Sequence, residues 1–270
     1  MDFLNELLRI FNLKMDIPKP YGWFHLFFIG LSLLAAVILC ATHKKGDDRR
    51  VRRVVFITAV LVTLLEIYKQ INYSFSYGDT ITFDYQWYAF PWQFCSMPMY
   101  VGLLVGLTRK GKVHNALCAF LATYAVFAGA CVMAYPNDVF ISTIGINIQT
   151  MICHGSMITV GIYLLYTQYV KLSHRTILSA MSVFAVTITL AITLNEIVYH
   201  TGITDGENFN MFFISPHAAS TLPVYSSVQK AVAYPWCLLI YFITFTLVAY
   251  VILILAMAIK ALCGRHTKAE

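Results

Sequence analysis

The sequence predicts an all-α fold, a polytopic membrane bundle of seven transmembrane helices. Three observations predict it: the high hydrophobicity, the clustering of charged residues between apolar stretches, and the uneven distribution of lysine and arginine among the connections. Of its 270 residues, 59% are hydrophobic and 12% are charged, whereas a soluble domain carries about 25% charged residues. The clumped charges leave apolar stretches of roughly 20 residues, which match the thickness of a bilayer core. Because lipid leaves no water for an open backbone, each stretch should be a helix.

Seven apolar segments cover most of the chain. They are Trp23–Thr42, Val54–Tyr73, Phe90–Leu107, Asn115–Met133, Thr150–Tyr169, Thr176–Tyr199 and Tyr234–Ile259. The start of the fifth is ambiguous, since residues 139–149 are also apolar and form either a loop or a half-helix. We therefore expect one transmembrane domain at 23–259, with a long outer loop at 200–233 and a cytoplasmic tail at 260–270.

Residues 1–22 predict a short amphipathic helix that lies in the membrane interface. Its apolar face consists of Phe3, Leu4, Leu7, Leu8 and Phe11, which share one side of a helix. Acidic residues near the start are atypical of a signal peptide.

The distribution of lysine and arginine predicts the orientation of the bundle. Most of the 19 basic residues fall in the connection "HKKGDDRRVRR" (43–53), in the third and fifth connections and in the tail. This places the N-terminus outside and the C-terminus in the cytoplasm, in a multi-pass protein of the plasma membrane. The net charge of +6 follows from this topology and from the lipid bilayer as a partner, so no nucleic acid is required. The oligomeric state is left open.

The polar residues of five segments fall in the half nearer the outer face, and the inner halves are nearly free of such groups. They are His25, Glu66, Lys69, Gln93, Cys95, His154 and Asn195, and polar groups at membrane depth indicate function. We therefore predict one polar cavity that opens toward the outer face. Simpler roles remain for several of them: Glu66 and Lys69 can neutralise each other, His25 can reach the headgroups, and Asn195 can link two helices.

Cys95 and His154 are the candidate nucleophile and base. A thiol attacks as its thiolate, and a neighbouring imidazole that accepts the proton makes this possible in an apolar setting. Gln93 or Ser96 would stabilise an oxyanion, and Glu66 would orient His154. Two alternatives are open: packing of Cys95 as a small apolar residue, and a disulfide with another outer cysteine. No metal-ligand spacing occurs in the sequence, so we expect no metal and no cofactor.

Two prolines flank Cys95 in the third segment. Pro91 suits the first turn of a helix, where its missing N–H does no harm. Pro98 is expected to loosen the same helix below Cys95 and to make room there. The stretch is therefore interpreted as the entrance to a site.

Several short motifs resemble the YwaF-type integral membrane protein family, which is similar to eukaryotic cysteine-dependent transmembrane phospholipid acyltransferases. The motifs are "WFHLF" (23–27), "LLEIYK" (64–69), "FPWQFCSM" (90–97), "ICHGSMI" (152–158) and the stretch from Asn208 to Leu239, which includes Asn210. Phe94 replaces a leucine of that family's pattern. The resemblance implies that Cys95 is the nucleophile, that His154 is the base, and that the substrate is a membrane phospholipid or lysophospholipid.

The leading hypothesis is a lipid acyl-transfer or acyl-hydrolysis enzyme, in which the loop 200–233 either covers the site as a lid or packs passively on the helix ends. The alternative is a proton- or cation-coupled transporter or channel that uses Glu66, Lys69 and His154. That alternative predicts polar residues along the inner halves of the helices, where they are scarce. A retinal protein is excluded, because the last segment lacks a deep Schiff-base lysine.

Overall fold

The computed structural model describes residues 2–266 and the side chains of residues 5–263, so residues 267–270 of the predicted tail lie outside the described part. The α-helices are α1 (Asp2–Phe11), α2 (Trp23–Ala41), α3 (Asp48–Asn72), α4 (Met97–Leu107), α5 (Lys112–Ala122), α6 (Tyr124–Ala134), α7 (Ile144–Tyr166), α8 (Arg175–Thr201), α9 (Tyr225–Ala231) and α10 (Tyr234–His266). A hairpin of β1 (Phe75–Tyr77) and β2 (Ile81–Phe83) is antiparallel, with Ser76 opposite Thr82.

Six stretches of the described chain are long and apolar enough to cross a bilayer. They are α2, α3, the pair α5–α6, α7, α8 and α10 as far as Cys263. The protein is therefore a mostly helical, multi-pass membrane protein in a lipid bilayer. The third predicted segment is apolar but shorter, Phe94–Leu107, so the structure supports six spans where the sequence predicts seven.

The third segment is not one continuous helix. Phe90, which precedes Pro91, is extended (φ −49°, ψ 136°), as expected for a residue before proline. A 3-10 turn at Phe94–Ser96 follows, and α4 begins only at Met97, with Pro98 in its first turn. Pro98 therefore starts a helix at a position that tolerates a missing N–H, and it does not loosen one, as the sequence suggested.

The fifth segment begins earlier than its hydrophobicity indicates. Helix α7 starts at Ile144, so the ambiguous stretch 139–149 contributes its second half to a helix. The Asn147 side chain fixes this start, since it accepts from Ile141 N at 2.9 Å and donates to Ile141 O at 2.7 Å. Within the most apolar window of α7, 67% of the residues are buried, against 17% for α10. Helix α7 is therefore central in the bundle.

The fourth segment bends at Thr123, between α5 and α6. The Thr123 hydroxyl donates to Ala119 O at 2.7 Å, and its backbone leaves helical geometry (φ −128°, ψ −74°). Back-bonding of a threonine to the preceding turn is a known cause of helix bending. Phe127 N donates to Thr123 O at 3.0 Å, so the chain resumes a helix at once.

Helix α1 is anchored to the bundle by its last residue. The Tyr68 hydroxyl and the Asn72 amide of α3 both donate to Phe11 O, at 2.6 and 2.9 Å. Leu8 is buried, while Leu7 and Ile10 are exposed. This two-sided burial agrees with an amphipathic helix, and its location in a membrane interface stays a prediction. At the other terminus, α10 continues through Lys260 to His266, so part of the predicted tail is helical.

The two ends of the bundle differ in character and are named here by their residues. Helix α3 runs from the basic end, which carries Asp48 to Arg53, to the site end, which carries Glu66 to Asn72. The two ends are about 25–30 Å apart, since each helical residue rises 1.5 Å.

Candidate functional site

Cys95 lies in the 3-10 turn Phe94–Ser96, directly before α4. Its side chain is half-buried, and its thiol is free, as are those of Cys131, Cys153 and Cys237. The structure therefore contains no disulfide at Cys95. The Cys153 thiol of α7 approaches the Cys95 carbonyl oxygen at 4.0 Å, so the turn packs against α7 at the residue next to His154.

His154 is buried and only half satisfied. Its Nδ1 lies 2.7 Å from Thr150 O. Because a carbonyl oxygen can only accept, Nδ1 carries the hydrogen, and in the neutral ring Nε2 then holds the lone pair. Nε2 is buried without a hydrogen-bond partner among the described residues. Thr150 therefore orients the ring, where the sequence suggested Glu66, and the Cys95 thiol makes no hydrogen bond to Nε2.

The backbone at His154 is fixed by a close contact between α6 and α7. Gly129 of α6 faces this point, and a Cβ atom there would lie 2.6 Å from His154 O and 2.9 Å from Met157 Cβ. Small residues allow such close approach of membrane helices. Gly155, the next residue of α7, faces Ser32 of α2 in the same way, since a Cβ atom at residue 155 would overlap Ser32 Oγ. Two glycine contacts thus hold α7 on both sides of the imidazole.

Glu66 forms the centre of a buried polar cluster. Its Oε1 accepts from Lys69 Nζ at 2.7 Å and from Gln70 Nε2 at 2.8 Å, and its Oε2 accepts from Gln149 Nε2 at 3.2 Å. Both side chains of the ion pair are largely buried, so the predicted pairing of Glu66 with Lys69 is confirmed.

The cluster extends to the segment that leads to Cys95. The Tyr85 hydroxyl donates to Gln70 Oε1 at 2.7 Å, and Gln70 Nε2 also donates to Ala89 O at 2.8 Å. Burial, and then the charge of Glu66, raise the pKa of Tyr85 to about 12, so the phenol stays a donor at neutral pH. This cluster ties α3, α7 and the strand-to-helix connection together.

Sequence reasoning missed Gln70, Tyr85 and Gln149. Gln70 lies four residues after Glu66, the spacing of neighbours on one helical face, so the sequence does carry a signal for it. Gln149 lies one residue before the predicted fifth segment, Thr150–Tyr169. It was therefore not considered among the polar residues inside a span. Tyr85 lies in a connection, and only the tertiary fold brings it to Gln70.

His25 is fully buried, and both of its ring nitrogens are occupied. Tyr21 N donates to Nδ1 at 2.9 Å, and Nε2 lies 3.0 Å from Met133 O. The ring thus links the start of α2 to the end of α6. The sequence suggests His25 as a supporting residue of the site and alternatively as a snorkelling residue. In the structure it joins two helices.

Two of the predicted site residues hold the loop 200–233 on the bundle. Gln93 accepts from Phe212 N at 2.9 Å and donates to Asn210 O at 3.1 Å. Asn195 accepts from Met211 N at 2.8 Å and donates to Met211 O at 3.1 Å. Both ends of each amide are used in this way, and the second N–H of Gln93 Nε2 has no acceptor among the described hydrogen bonds. The predicted role of Gln93 toward an oxyanion therefore stays a prediction.

The loop itself enters the bundle above Cys95. Met211, Phe212 and Ile214 are fully buried, and Phe212 packs against Phe94 with ring centroids 5.7 Å apart. Phe212 has a positive φ of 59°, a conformation that non-glycine residues adopt only where surrounding contacts impose it. Asn210 supports this turn by accepting from Ser215 N at 2.8 Å. Ser96 is also buried, at the end of the turn below.

An open groove of about 470 Å³ lies beside the Glu66 cluster. Its walls come from α3, α4 and the hairpin, and they include Glu66, Gln70, Phe75, Pro91, Met99 and Tyr100. The apolar residues Ile67 and Ile71 complete the α3 side. Within the described part of the chain, no group of three or more His, Cys, Asp or Glu residues is arranged to hold a metal ion.

One family model matches this chain. It is described as the TMEM164 family and covers residues 20–256, which includes every candidate site residue named above. Comparison with curated proteins and with solved structures returned no match.

Proposed function

The chain belongs to the TMEM164 family, a family of transmembrane proteins, and from its buried site we propose that it is a lipid acyl-transfer or acyl-hydrolysis enzyme. Cys95 is the nucleophile and His154 the base in this proposal. The observation that carries it is the His154 ring, which is oriented through Nδ1 and presents a buried Nε2 without a partner among the described residues. A buried polar atom that is left unsatisfied costs about 1–3 kcal/mol, and a base must keep such an atom open for its substrate.

The first half-reaction transfers an acyl group from a phospholipid to Cys95. His154 Nε2 takes the proton of the thiol, and the thiolate attacks the ester carbonyl carbon. A carbon–sulfur bond forms, the ester carbon–oxygen bond breaks, and the imidazolium returns its proton to the departing lysolipid oxygen. The products are an acyl thioester at Cys95 and a lysophospholipid.

The second half-reaction releases the acyl group to an acceptor. Nε2 takes a proton from a lysophospholipid hydroxyl, or from water, and that oxygen attacks the thioester carbonyl. The carbon–sulfur bond breaks, and the thiolate recovers the proton from the imidazolium. Atoms and charges balance in both halves without a metal, a nucleotide or a redox partner.

The Glu66 cluster supplies electrostatic support in this proposal. The Lys69 ammonium pairs with Glu66, which also binds Gln149 of α7, and in the proposal this cation stabilises the thiolate and the developing oxyanion. Glu66 holds that ammonium in place at 2.7 Å. Gln70 and Gln149 bind the remaining lone pairs of the carboxylate, which a buried ion pair requires to be stable.

Substrate access in the proposal uses the open groove beside α3 and α4. The α3 wall presents both polar residues, Glu66 and Gln70, and apolar residues, Ile67 and Ile71, and Met99 of α4 adds to the apolar part. This combination suits a lipid, which brings a polar headgroup and an apolar chain together. The loop 200–233, held by Gln93 and Asn195, acts as the lid that keeps bulk water from the thioester.

The experiment is an acyl-exchange assay on the full chain in nanodiscs of mixed phospholipids. Lysophospholipids of three headgroups are supplied with a deuterated acyl chain, and mass spectrometry follows labelled diacyl lipid and free fatty acid. We expect turnover by the wild type, none by Cys95→Ala, and unchanged turnover by Cys237→Ala, whose buried thiol contacts Val228 O and Val232 O. Turnover by Cys95→Ala at the wild-type rate would refute the proposal.

A further inference from the structure

A second cavity lies at the basic end of the bundle, away from Cys95 and His154. It holds about 420 Å³ between the first turns of α3 and the end of α4. The lining residues are Asp48, Arg49, Arg52, Arg53, Phe56, Gly106, Arg109 and Lys110. The volume falls in the range of ligand pockets, about 300–1,000 Å³.

The charge of this cavity is not balanced within the described chain. Five of its lining residues are cations, and Asp48 is the one acid among them. The Asp48 carboxylate forms an ion pair with Lys110. The four arginines form no ion pair with any carboxylate of the described residues, so their charge is available to an anion.

Arg52 is held in a position to bind such an anion. Its Nη2 donates to Gly106 O at 2.9 Å, while its Nε is buried and has no partner among the described residues. A guanidinium presents a rigid fork of donors that matches phosphate oxygens, and the buried Nε–H is one donor left for a ligand. The phosphate would satisfy a group whose isolation otherwise destabilises the fold.

The wall behind Arg52 is built by close packing. A Cβ atom at Gly106 would overlap the Phe56 ring, so α3 and α4 approach each other closely only because residue 106 is glycine. The cavity is therefore preformed, which lowers the entropy lost on binding.

The need for positive charge on the cytoplasmic side of the membrane does not by itself explain why these cations line one cavity. The positive-inside rule depends on the number of lysines and arginines in a connection, and Lys44, Lys45, Lys171 and Arg175 contribute to it from outside the cavity. The cavity residues instead converge on one space from the first turns of α3 and from the end of α4 with the connection that follows it. Convergence is what a binding site requires.

We propose that this basic cavity binds a phosphomonoester group, presented by a phosphorylated lipid headgroup at the membrane surface or by a soluble phosphorylated molecule. Basic clusters beside a transmembrane helix attract anionic headgroups with about 1 kcal/mol per Lys or Arg, which corresponds to roughly a fivefold change in affinity for each residue. The site is separate from the proposed acyl-transfer site, and neither proposal depends on the other.

Native mass spectrometry of the purified full chain tests the proposal. The probes are phosphatidylinositol bisphosphate, phosphatidylcholine and soluble inositol trisphosphate. We expect the wild type to retain the bisphosphate lipid in preference to phosphatidylcholine. The double variant Arg49→Gln/Arg109→Gln, which removes one exposed cation from each wall, should bind it roughly 25-fold more weakly, and Arg52→Gln is measured separately because its side chain also contacts Gly106.

The matched control is Lys171→Gln/Arg175→Gln, which removes the same charge from the same end outside the cavity. Retained binding by this control, with loss in the cavity variant, supports the site. If inositol trisphosphate competes with an affinity equal to that of the lipid, the site is supported and it recognises the phosphate group alone. If inositol trisphosphate competes only weakly, the site is supported and the natural ligand is a lipid. Equal retention of phosphatidylcholine, or an equal loss in the control variant, would overturn the proposal.

Discussion

Two buried histidines near the site end of the bundle have opposite hydrogen-bond environments. At His25, Tyr21 N and Met133 O occupy both ring nitrogens. At His154, Thr150 O holds one nitrogen, and the other has no partner among the described residues. The two rings are about equally buried, 0% and 5% exposed, so burial does not distinguish them. In our proposal the satisfied ring of His25 joins two helices, and the half-satisfied ring of His154 is the base.

The largest expected effect separates the two histidines by activity. His154→Gln should lower acyl transfer by roughly 100- to 10,000-fold, the usual contribution of a general base, while the protein stays folded. His25→Gln should lower thermal stability, but its folded fraction should keep most of the activity. The acyl-exchange rate per folded molecule, with folding judged by size exclusion and thermal melting, measures the difference. Equal loss of specific activity in both variants would end the distinction.

A second comparison uses the Glu66–Lys69 pair. Glu66→Gln leaves the Lys69 ammonium largely buried without its counter-ion, and breaking a buried pair costs about 3–5 kcal/mol of stability. Removing both charges, in Glu66→Gln/Lys69→Met, should recover much of that stability but not the activity, because the ammonium is lost. Unfolding in mixed micelles and the acyl-exchange rate together test this. Full activity in the double variant would show that the pair is only structural.

A third comparison uses two helical glycines. Gly129→Ala places a methyl group against His154 O, so α6 and α7 must separate, and overpacking of this kind costs about 1–3 kcal/mol. Gly30→Ala in α2 meets nothing within 4 Å and should leave stability and activity unchanged or slightly raise stability. Melting temperature and acyl-exchange rate check both. An unaffected Gly129→Ala variant would mean that the position of His154 tolerates movement.

Much of the site could be predicted from the order of residues along helices. The i, i+3 spacing of Glu66 and Lys69 predicts their ion pair, and the clumping of polar residues in one half of the segments indicates where the cluster lies. These features are local or depend only on depth. The same reasoning places Cys95 beside the fifth segment, where the Cys153 thiol contacts its carbonyl.

The remaining features depend on tertiary contacts that no local pattern encodes. A continuous helix through Cys95 was wrong, because Pro91 and Pro98 together leave only a 3-10 turn before α4. The suggestion that Glu66 orients His154 was wrong, because His154 Nδ1 binds the backbone carbonyl of Thr150 in its own helix. The roles of Gln93 and Asn195 depend on where the loop at Met211 and Phe212 enters the bundle.

The most direct measurement is the intact mass of the protein after exposure to phospholipid, in a Cys263→Ala background, so that an acyl group on the exposed Cys263 of α10 is not counted. We expect a mass increment of one fatty acyl group, which hydroxylamine removes and peptide mapping assigns to Cys95. The increment should be absent in Cys95→Ala and strongly reduced in His154→Gln. An acyl group that persists in Cys95→Ala, or lipid turnover with no acyl group ever found on Cys95, would contradict the assignment of Cys95 as the nucleophile.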